Sequence, residues 1–437
     1  MKSLDNLQRR LDLLLRTGCL LMQSNADTSR TMRTMKRVAV YLGLPLDRLH
    51  IYIVYNMLMV NLSDAERSYT KFQRVERHGV NLDTLRQVSH LSCEAARGHY
   101  DLDRYEQQLD YIARRQRNYS PWQVAVGGGL ACGGFCIQFG CDWTAFFYAA
   151  IAAILGLRLR MLLNEKGSNA YVNIGIAAFV STLLAWAFSL LSAAAQSSNW
   201  LPSLLVSATP WHPLLACALF IVPGVPLINF VSDMLTGYTQ VGMTRAVNTL
   251  MILLAMAFGI AFAIQVCGID NFAKDLPMTP HHAYDEYMLA AAVSAIGFSM
   301  IFNTPRHLMW AVALGGIVSV CTRNFVNLGP SSGNIGLDQG LVVGSFAGSA
   351  VVSILCCALV RRLHTPHQLL SIPSVIPMIP GVLMYRALFA FIRMHGAEGE
   401  VTVAMNNAIQ ASLIILFIAL GVAIPNIFFR RLIAVRT

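Results

Sequence analysis

A hydrophobic segment broken by proline and glycine occurs twice in the chain. The first copy covers residues 220–229, with the sequence FIVPGVPLIN, and the second covers residues 371–382, with the sequence SIPSVIPMIPGV. Because proline lacks a backbone N–H and clashes with the preceding turn, each break leaves backbone groups without helical partners. Lipid cannot bond these groups, so such backbone persists only in packed protein or beside a wet cavity. Paired broken helices in two halves of a chain are typical of a membrane substrate site.

Charge divides the chain into an N-terminal part and a membrane part. Of the 437 residues, 55% are hydrophobic and only 13% are charged, which is typical of membrane proteins. Most charged residues precede residue 120, and long apolar runs follow. We therefore expect an α-helical polytopic membrane protein with an α+β domain over residues 1–120. No signal-peptide pattern is recognisable at the N-terminus, so we expect that domain in the cytoplasm.

Hydrophobic runs predict about ten transmembrane helices, five in residues 121–268 and five in residues 269–437. The predicted spans lie near residues 122–140, 143–157, 171–194, 212–232, 246–266, 287–303, 308–322, 336–360, 368–392 and 402–429.

Loop charges predict the orientation of these spans, because cytoplasmic loops carry an excess of Lys and Arg. Residues 195–211 carry no charge, and residues 268–286 carry four acids against Lys274. Both loops are therefore expected outside, and both termini in the cytoplasm. The basic residues expected on the cytoplasmic side are Arg158, Arg160, Lys166, Arg245, Arg306, Arg361, Arg362, Arg430, Arg431 and Arg436.

The two halves of the membrane part show a weak, ordered repeat. Residues 134–139 match residues 297–302, and Arg160 falls on Arg323 at the same offset. Further on, residues 223–225 match residues 380–382. With five spans in each half, the second copy must enter the membrane from the opposite side, which predicts two inverted five-helix repeats. Arg323 is then expected outside, against the usual preference.

The sequence lacks the motifs that several other functions require. Basic and acidic residues are interleaved in residues 1–120, which argues against nucleic-acid binding. That segment has no Gly-x-Ser-x-Gly motif and the chain has no Walker motif, so we expect neither an enzyme nor an ATP-driven pump. The ten cysteines include no Cys-x-x-Cys pair, and we expect no metal site and no cofactor. Glycines 127–129 lie in an apolar span and predict close helix packing.

Patterns in residues 1–120 predict four helices and strand-like segments. The helices are expected near 4–23, 28–42, 82–97 and 102–116, and the strand-like segments at 50–62 and 69–75. Asp27 and Asp101 precede helical patterns and are expected to be N-caps, and Gly43 is expected to end a helix.

Charged residues close to the breaks are the strongest site candidates, because an unpaired charge in hydrocarbon is costly. Asp233 follows the first break and Arg386 follows the second at a comparable distance, so inverted symmetry would bring both near one cavity. The alternative is that either side chain reaches the interface and is only an anchor. Asp338, at the start of a span, is a weaker candidate, and Trp211 and His212 are expected to mark an interface.

These motifs resemble those of the threonine/serine exporter family. The resemblance rests on residues 223–229, on Asp233, Gly237, Gly242 and Arg245, and on the N-terminal segment 24–30. Residues 287–437, with FNTPR at 302–306 and IPMIPG at 376–381, are similar to the smaller membrane component of a two-component succinate exporter. The chain therefore looks like a fused form of that family.

The resemblance implies a proton-coupled secondary exporter of small amino acids in the bacterial inner membrane. Its partners would be the substrate, protons and membrane lipid, with a homo-oligomer as a possible assembly. Export of small dicarboxylates such as succinate, a passive channel, and a membrane enzyme or receptor stay open as alternatives. Asp233 and Asp338 are the candidates for coupling. The candidate substrate-binding residues are Pro223, Gly224, Pro226, Asn229, Asp233, Arg245, Pro377, Pro380, Gly381, Tyr385 and Arg386.

Overall fold

The computed structural model of the chain describes residues 2–63, 67–76, 78–197, 202–269, 282–330, 335–363, 365–392 and 398–434. The expectations for Lys274, and for the acids at 270 and 275, lie outside the described residues.

The described residues between 2 and 114 form four helices and one antiparallel sheet, in the predicted order. The sheet has the order β1-β2-β3. The strand-like segment at residues 50–62 is a hairpin of two strands. Tyr55 and Asn56 make a turn that places Val54 opposite Met57. The elements are α1 (Lys2–Gln23), α2 (Thr28–Tyr41), β1 (Leu49–Val54), β2 (Met57–Ser63), β3 (Ser68–Arg74), α3 (Leu82–Ala96) and α4 (Leu102–Arg114).

A cluster of buried apolar side chains holds these elements together. Leu14 of α1, Met35 of α2, Leu58 of β2 and Val88 of α3 all belong to it and are fully buried. Leu82, at the start of α3, belongs instead to the core of the membrane helices. The N-terminal elements therefore have a core of their own and also contact the core of the membrane helices.

Two aspartates begin helices in this part of the chain, as the sequence predicts. The carboxylate of Asp27 accepts the N–H of Arg30 at 2.5 Å, and that of Asp101 accepts the N–H of Arg104 at 2.8 Å. Each bond satisfies an amide that the first turn of a helix leaves unpaired. Gly43, with φ of +67°, follows α2 in the left-handed conformation typical of a helix stop.

Among the described residues from 121 to 434, every predicted span corresponds to a helix or a bent helix pair. The helices are α5 (Pro121–Gln138), α6 (Trp143–Glu165), α7 (Ala170–Ser197), α8 (Pro213–Ala216), α9 (Gly224–Leu235), α10 (Thr239–Val266), α11 (Tyr284–Ile301), α12 (Met309–Asn327), α13 (Leu341–Leu363), α14 (His367–Val375), α15 (Gly381–Ile392) and α16 (Glu398–Ala434).

Six described helices are long and apolar enough to cross a membrane, and up to eight spans result if each of two bent pairs is one span. The chain is therefore a multi-pass membrane protein. Helices α5 and α11 are not among these spans, since α5 has glutamine near both ends and α11 begins with Asp285 and Glu286. A total of ten spans stays a prediction.

Seven arginines assigned to loops lie inside α-helices, among them Arg361 and Arg362 in α13 and Arg430 and Arg431 in α16. Arg158 and Arg160 belong to the last two turns of α6, and Arg245 lies in the second turn of α10. The hydrophobic run of α10 begins only after Arg245, but its helix begins seven residues earlier than predicted, at Thr239. The helix thus extends beyond the apolar part of the segment. A boundary placed by hydropathy does not detect this extension.

Helices α5 and α11 pack closely through small residues. A Cβ atom at Gly134 would lie 2.6 Å from the carbonyl oxygen of Ala290, and one at Gly297 would lie 2.5 Å from the backbone nitrogen of Ala131. Early residues of each helix thus meet late residues of the other, so the two helices run antiparallel. Such contacts between backbones exclude any larger residue and confirm the predicted role of glycine in this span.

Candidate functional site

Each broken segment is a pair of short helices that meet at a bend. The helices before and after the first break form an angle of 57°, and those around the second form an angle of 55°. Pro223 and Pro380 stand at the bends, directly before Gly224 and Gly381, which begin α9 and α15. Because a proline cannot donate to the preceding turn, the helix stops and restarts in a new direction. The prediction of two broken segments is confirmed.

The two breaks pack against each other. A Cβ atom at Gly381 would lie 2.7 Å from Cδ2 of Leu219, and a Cβ atom at Gly224 would overlap Cδ1 of Ile376. Leu219 precedes Gly224 by five residues, and Ile376 precedes Gly381 by five residues, so each break contacts the equivalent position of the other. Glycine at both bends permits this crossing.

A buried ion pair lies just beyond the first break. Gly237, with φ of +85°, terminates α9, and the N–H of Tyr238 donates to the carbonyl oxygen of Asp233 at 2.9 Å. The chain reverses there, so α10 runs back beside α9 and brings Arg245 to Asp233. The Nε atom of Arg245 lies 2.9 Å from Oδ2 of Asp233, and the two side chains are 5% and 0% exposed. The predicted candidates Asp233 and Arg245 are therefore partners of one another.

The guanidinium of Arg245 also binds the turn between α1 and α2. Its Nη1 donates to Oδ1 of Asn25, and its Nη2 donates to the carbonyl oxygen of Ala26 at 2.7 Å. Asn25 has φ of +60°, a left-handed conformation that asparagine tolerates better than most residues. This conformation turns the chain so that two acceptors face the same arginine.

Helix α9 binds the same turn through two further side chains. Nδ2 of Asn229 donates to the carbonyl oxygen of Asn25 at 2.8 Å, and Oδ1 of Asp233 accepts the N–H of Thr28 at 2.8 Å. All of these residues are buried, with Asn229 only 1% exposed. Residues 25–28, which we call the α1–α2 turn, thus occupy the polar groups that lie beyond the first break.

The second broken segment contributes a contact to the same turn. Nε2 of Gln368, on α14, donates to Oδ2 of Asp27. Burial acts to raise the pKa of the Asp27 carboxyl, but the positive charges of Arg30 and Arg33 and its hydrogen bonds outweigh burial and hold that pKa below its usual range. Asp27 is therefore an anion that is bound by both the N-terminal part and the membrane part.

Aromatic side chains of the N-terminal part cover the ion pair. The ring of Tyr55 lies 5.9 Å from Cζ of Arg245, and the ring of His78 stacks on Tyr55 at 4.2 Å. Nδ1 of His78 lies 3.2 Å from the carbonyl oxygen of Met22. Burial and the nearby charge of Arg245 lower the pKa of His78 below its ordinary value.

A second contact joins the N-terminal part to the loop after α11. Nδ2 of Asn303 donates to Oδ1 of Asn81 at 2.8 Å, and Oδ1 of Asn303 accepts the N–H of Asn118 at 2.8 Å. The N–H of Leu82 donates to the carbonyl oxygen of Phe302 at 2.9 Å. The N-terminal elements therefore bind both halves of the membrane part.

The remaining predicted site residues are distributed around the second break or away from it. Pro377, Pro380 and Tyr385 are buried beside the crossing, and Pro226 lies in the first turn of α9. Arg386 follows Gly381 by five residues and so takes the position that Asn229 takes after Gly224. The structure does not place Asp233 and Arg386 as a pair, since Arg245 is the ion-pair partner of Asp233.

Asp338 lies away from the breaks. It is exposed in the loop between α12 and α13, has φ of +55°, and packs against Gly329. The site also contains residues that sequence reasoning did not propose, namely Asn25, Thr28 and Gln368. The segment 24–30 was noticed as part of the family resemblance and as a helix N-terminus, but not as part of the site. Within the described residues, no group of three His, Cys, Asp or Glu side chains is arranged to hold a metal ion.

Long apolar helices, two crossing breaks and a buried ion pair beside them define a membrane transporter. The comparisons with known proteins agree with this class. The family described as "Putative threonine/serine exporter" matches residues 12–267, and that described as "Threonine/Serine exporter, ThrE" matches residues 287–428. The chain belongs to the threonine/serine exporter family, whose members are transporters and not enzymes.

The chain is similar over most of its length to two named exporters. It is 22% identical to the threonine/serine exporter of Corynebacterium glutamicum, over 97% of this chain and 83% of that protein. It is 22% identical to the probable threonine/serine exporter of Mycobacterium tuberculosis, over 93% of this chain and 75% of that protein. No solved structure matches the chain.

A third relative matches only the first part of the chain. The probable succinate transporter subunit YjjP of Klebsiella aerogenes is 24% identical over 60% of this chain and 95% of that protein.

Proposed function

We propose that the chain is a secondary exporter of threonine and serine in the bacterial inner membrane, driven by proton antiport. The observation that carries the proposal is the buried Asp233–Arg245 pair beside the crossing of the two broken helices. A buried charge pair is costly to place in a membrane protein, and such pairs commonly mark substrate or ion pathways.

The pair has the chemistry that an amino-acid zwitterion needs. A guanidinium binds a carboxylate through paired N–H donors, so Arg245 would take the substrate carboxylate. The carboxylate of Asp233 would take the substrate ammonium group. Pro223, Gly224, Pro226 and Asn229 would line the first break, where backbone groups without helical partners could bond the rest of the substrate.

Competition at Asp233 would couple export to protons. One carboxylate cannot bind the substrate ammonium group and a proton at the same time. A carrier that crosses only when Asp233 is occupied would therefore exchange one cation for the other, which is antiport. Asp338 is exposed and far from the breaks along the chain, so it is the weaker coupling candidate.

The reciprocal contacts support the proposed inverted repeat, with residues 1–120, 121–268 and 269–437 as the three units. Gly224 meets Ile376 as Gly381 meets Leu219, and Gly134 meets Ala290 as Gly297 meets Gly127. Contacts that are repeated with the partners exchanged are a property of two-fold symmetry. Antiparallel packing of α5 and α11 requires an axis that would lie in the membrane plane. On this basis Pro377, Pro380, Gly381, Tyr385 and Arg386 would form the second side of the substrate path.

Export of a dicarboxylate is the second candidate, because a protein described as a probable succinate transporter subunit matches 60% of the chain. Succinate would bind Arg245 and Arg386 but has no ammonium group for Asp233. A buried carboxylate next to a dicarboxylate is repulsive, so the Asp233–Arg245 pair favours the zwitterion.

Flux from proteoliposomes tests the proposal. The purified full-length chain should move labelled threonine and serine faster than succinate, and an imposed proton gradient should drive either amino acid against its own gradient. A passive channel would only equilibrate the substrate. Preferred transport of succinate would replace the amino-acid assignment with the dicarboxylate one.

A cysteine label that cannot cross the membrane tests the proposed orientation. It should react from outside with a cysteine placed at 274 and should not react with one placed at Lys166, which lies just after α6. A reaction from outside at Lys166 would overturn the orientation with both termini in the cytoplasm.

A further inference from the structure

The α1–α2 turn presents the binding groups of an amino acid to the membrane part. The N–H of Thr28 is a donor aimed at Asp233, where a substrate ammonium group would lie. The carbonyl oxygen of Ala26 and the amide oxygen of Asn25 are acceptors aimed at Arg245, where a substrate carboxylate would lie. One donor and two acceptors therefore meet the ion pair in the arrangement expected of an α-amino acid.

We infer that the α1–α2 turn is an internal stand-in for the substrate, which fills the Asp233–Arg245 site from the side of the N-terminal part and is displaced by an α-amino acid zwitterion. This inference rests on the proposed function. It adds a gate, because no substrate can reach the pair from that side while the turn is bound.

The turn is built to enter and leave as a preformed unit. Its backbone is held by the end of α1, where the N–H of Ala26 donates to Leu21 and the N–H of Asn25 donates to Met22, both at 3.0 Å. The cap at Asp27 fixes its other end to α2. Since these bonds lie within the N-terminal part, the turn keeps its shape when it withdraws and little conformational entropy opposes its return.

The turn also connects the two broken helices. Asn229 and Asp233 hold it from α9, while Gln368 holds it through Asp27 from α14. Displacement by a substrate would release both segments at once. The gate would thus free the two halves to move only when the site is occupied, which is what alternating access requires.

A proline at position 28 isolates the contact that matters. Thr28 is the first residue of α2, where proline is well tolerated, and Asp27 has φ of −65° and ψ of 151°, which suit a residue before proline. Thr28→Pro removes the N–H that Asp233 accepts and places a ring carbon in its position. Thr28→Ala is the matched control, since it keeps the N–H and removes only the side-chain groups.

The first measurement is the Kd of L-threonine for the purified full-length protein in micelles. If the turn competes with the substrate, the apparent Kd equals the intrinsic Kd divided by the fraction of protein whose turn is withdrawn. Loss of a hydrogen bond to a charged group shifts an equilibrium by about tenfold or more. Thr28→Pro should therefore lower the Kd by about tenfold, and Thr28→Ala should leave it within about threefold of wild type.

The second measurement is hydrogen exchange of residues 24–31 in the wild type. Saturating L-threonine should speed exchange there, because the Thr28 amide loses its acceptor. Gln368→Met removes the bond to Asp27 without changing the ion pair and should also lower the Kd. It replaces Thr28→Pro as the test if that variant does not fold.

The possible failures are distinct. An unchanged or raised Kd in Thr28→Pro and Gln368→Met, or slower exchange of residues 24–31 with threonine, overturns the inference. If the wild type nevertheless transports threonine, the proposed function stands without the gate. If the wild type neither binds nor transports threonine or serine, both fail.

Discussion

Two single substitutions in the Asp233–Arg245 pair should have destabilising effects whose sum exceeds the effect of the double substitution. Arg245→Gln leaves the carboxylate of Asp233 buried at 0% exposure, with only Thr28 still donating to it. An uncompensated buried charge of this kind costs about 3–5 kcal/mol of unfolding free energy. The new glutamine also loses at least one of the bonds to Asn25 and Ala26.

Asp233→Asn should cost less, about 1.5–3 kcal/mol, because Arg245 keeps its bonds to Asn25 and Ala26. In the double variant no charge is left unpaired. The double variant should therefore be more stable than the sum of the single effects predicts, by an interaction energy of about 1–3 kcal/mol.

The assay is unfolding in mixed micelles, with the free energy obtained from titration with sodium dodecyl sulfate. The matched control is Lys71→Gln, which breaks the partly exposed pair of Lys71 with Asp12 and should have a much smaller effect. An interaction energy within about 0.5 kcal/mol of zero would refute the reasoning, since it would mean that the two charges do not stabilise each other.

Three further predictions follow from other contacts. Gly297→Ala places a Cβ atom against the backbone of α5 and should destabilise the protein. Gly175→Ala should not, because its Cβ atom meets only one carbonyl oxygen, at 3.4 Å. Equal unfolding midpoints of the two variants in the same titration would contradict the close packing. Gly224→Leu and Gly381→Leu should each abolish flux but leave a folded, inserted protein; normal flux in both would reduce the breaks to packing kinks. His78 has a lowered pKa, so folding favours its neutral form, and the contribution of His78 to stability should be present above its ordinary pKa of about 6.5 and be lost as the pH falls below that value. His78→Phe should reduce the pH dependence of the unfolding midpoint over that range. An unchanged pH dependence would mean that other groups are responsible.

The sequence predicts the broken helices well because each signal is local. A proline beside a glycine in an apolar run usually interrupts a helix, and the segments around Gly224 and Gly381 are interrupted in this way. Asp233 was also recognisable, because a carboxylate next to an apolar run calls for a partner. Arg245 was recognised by family resemblance but was assigned to a loop by its position before a hydrophobic run.

The contacts of the site were beyond sequence reasoning, since they join residues far apart in the chain. Thr28 and Asp233 are separated by 205 positions, and Asp27 and Gln368 by 341. Locally, Asp27 and Thr28 have the complete pattern of a helix N-terminus, and that pattern explains both residues without any other role. The one local signal for a special backbone was Asn25, a residue type that is enriched in the left-handed conformation.

Coupling of threonine efflux to the proton gradient tests the central claim most directly. Proteoliposomes that contain the wild type should release preloaded threonine faster when the medium outside is more acidic than the lumen. Protons then move inward while threonine moves outward. Asp233→Asn keeps the shape and one acceptor oxygen of the side chain but carries no exchangeable charge, so its efflux should fall steeply and lose its dependence on the gradient. Efflux by Asp233→Asn with the same rate and pH dependence as the wild type would contradict the account, and would place the coupling site elsewhere.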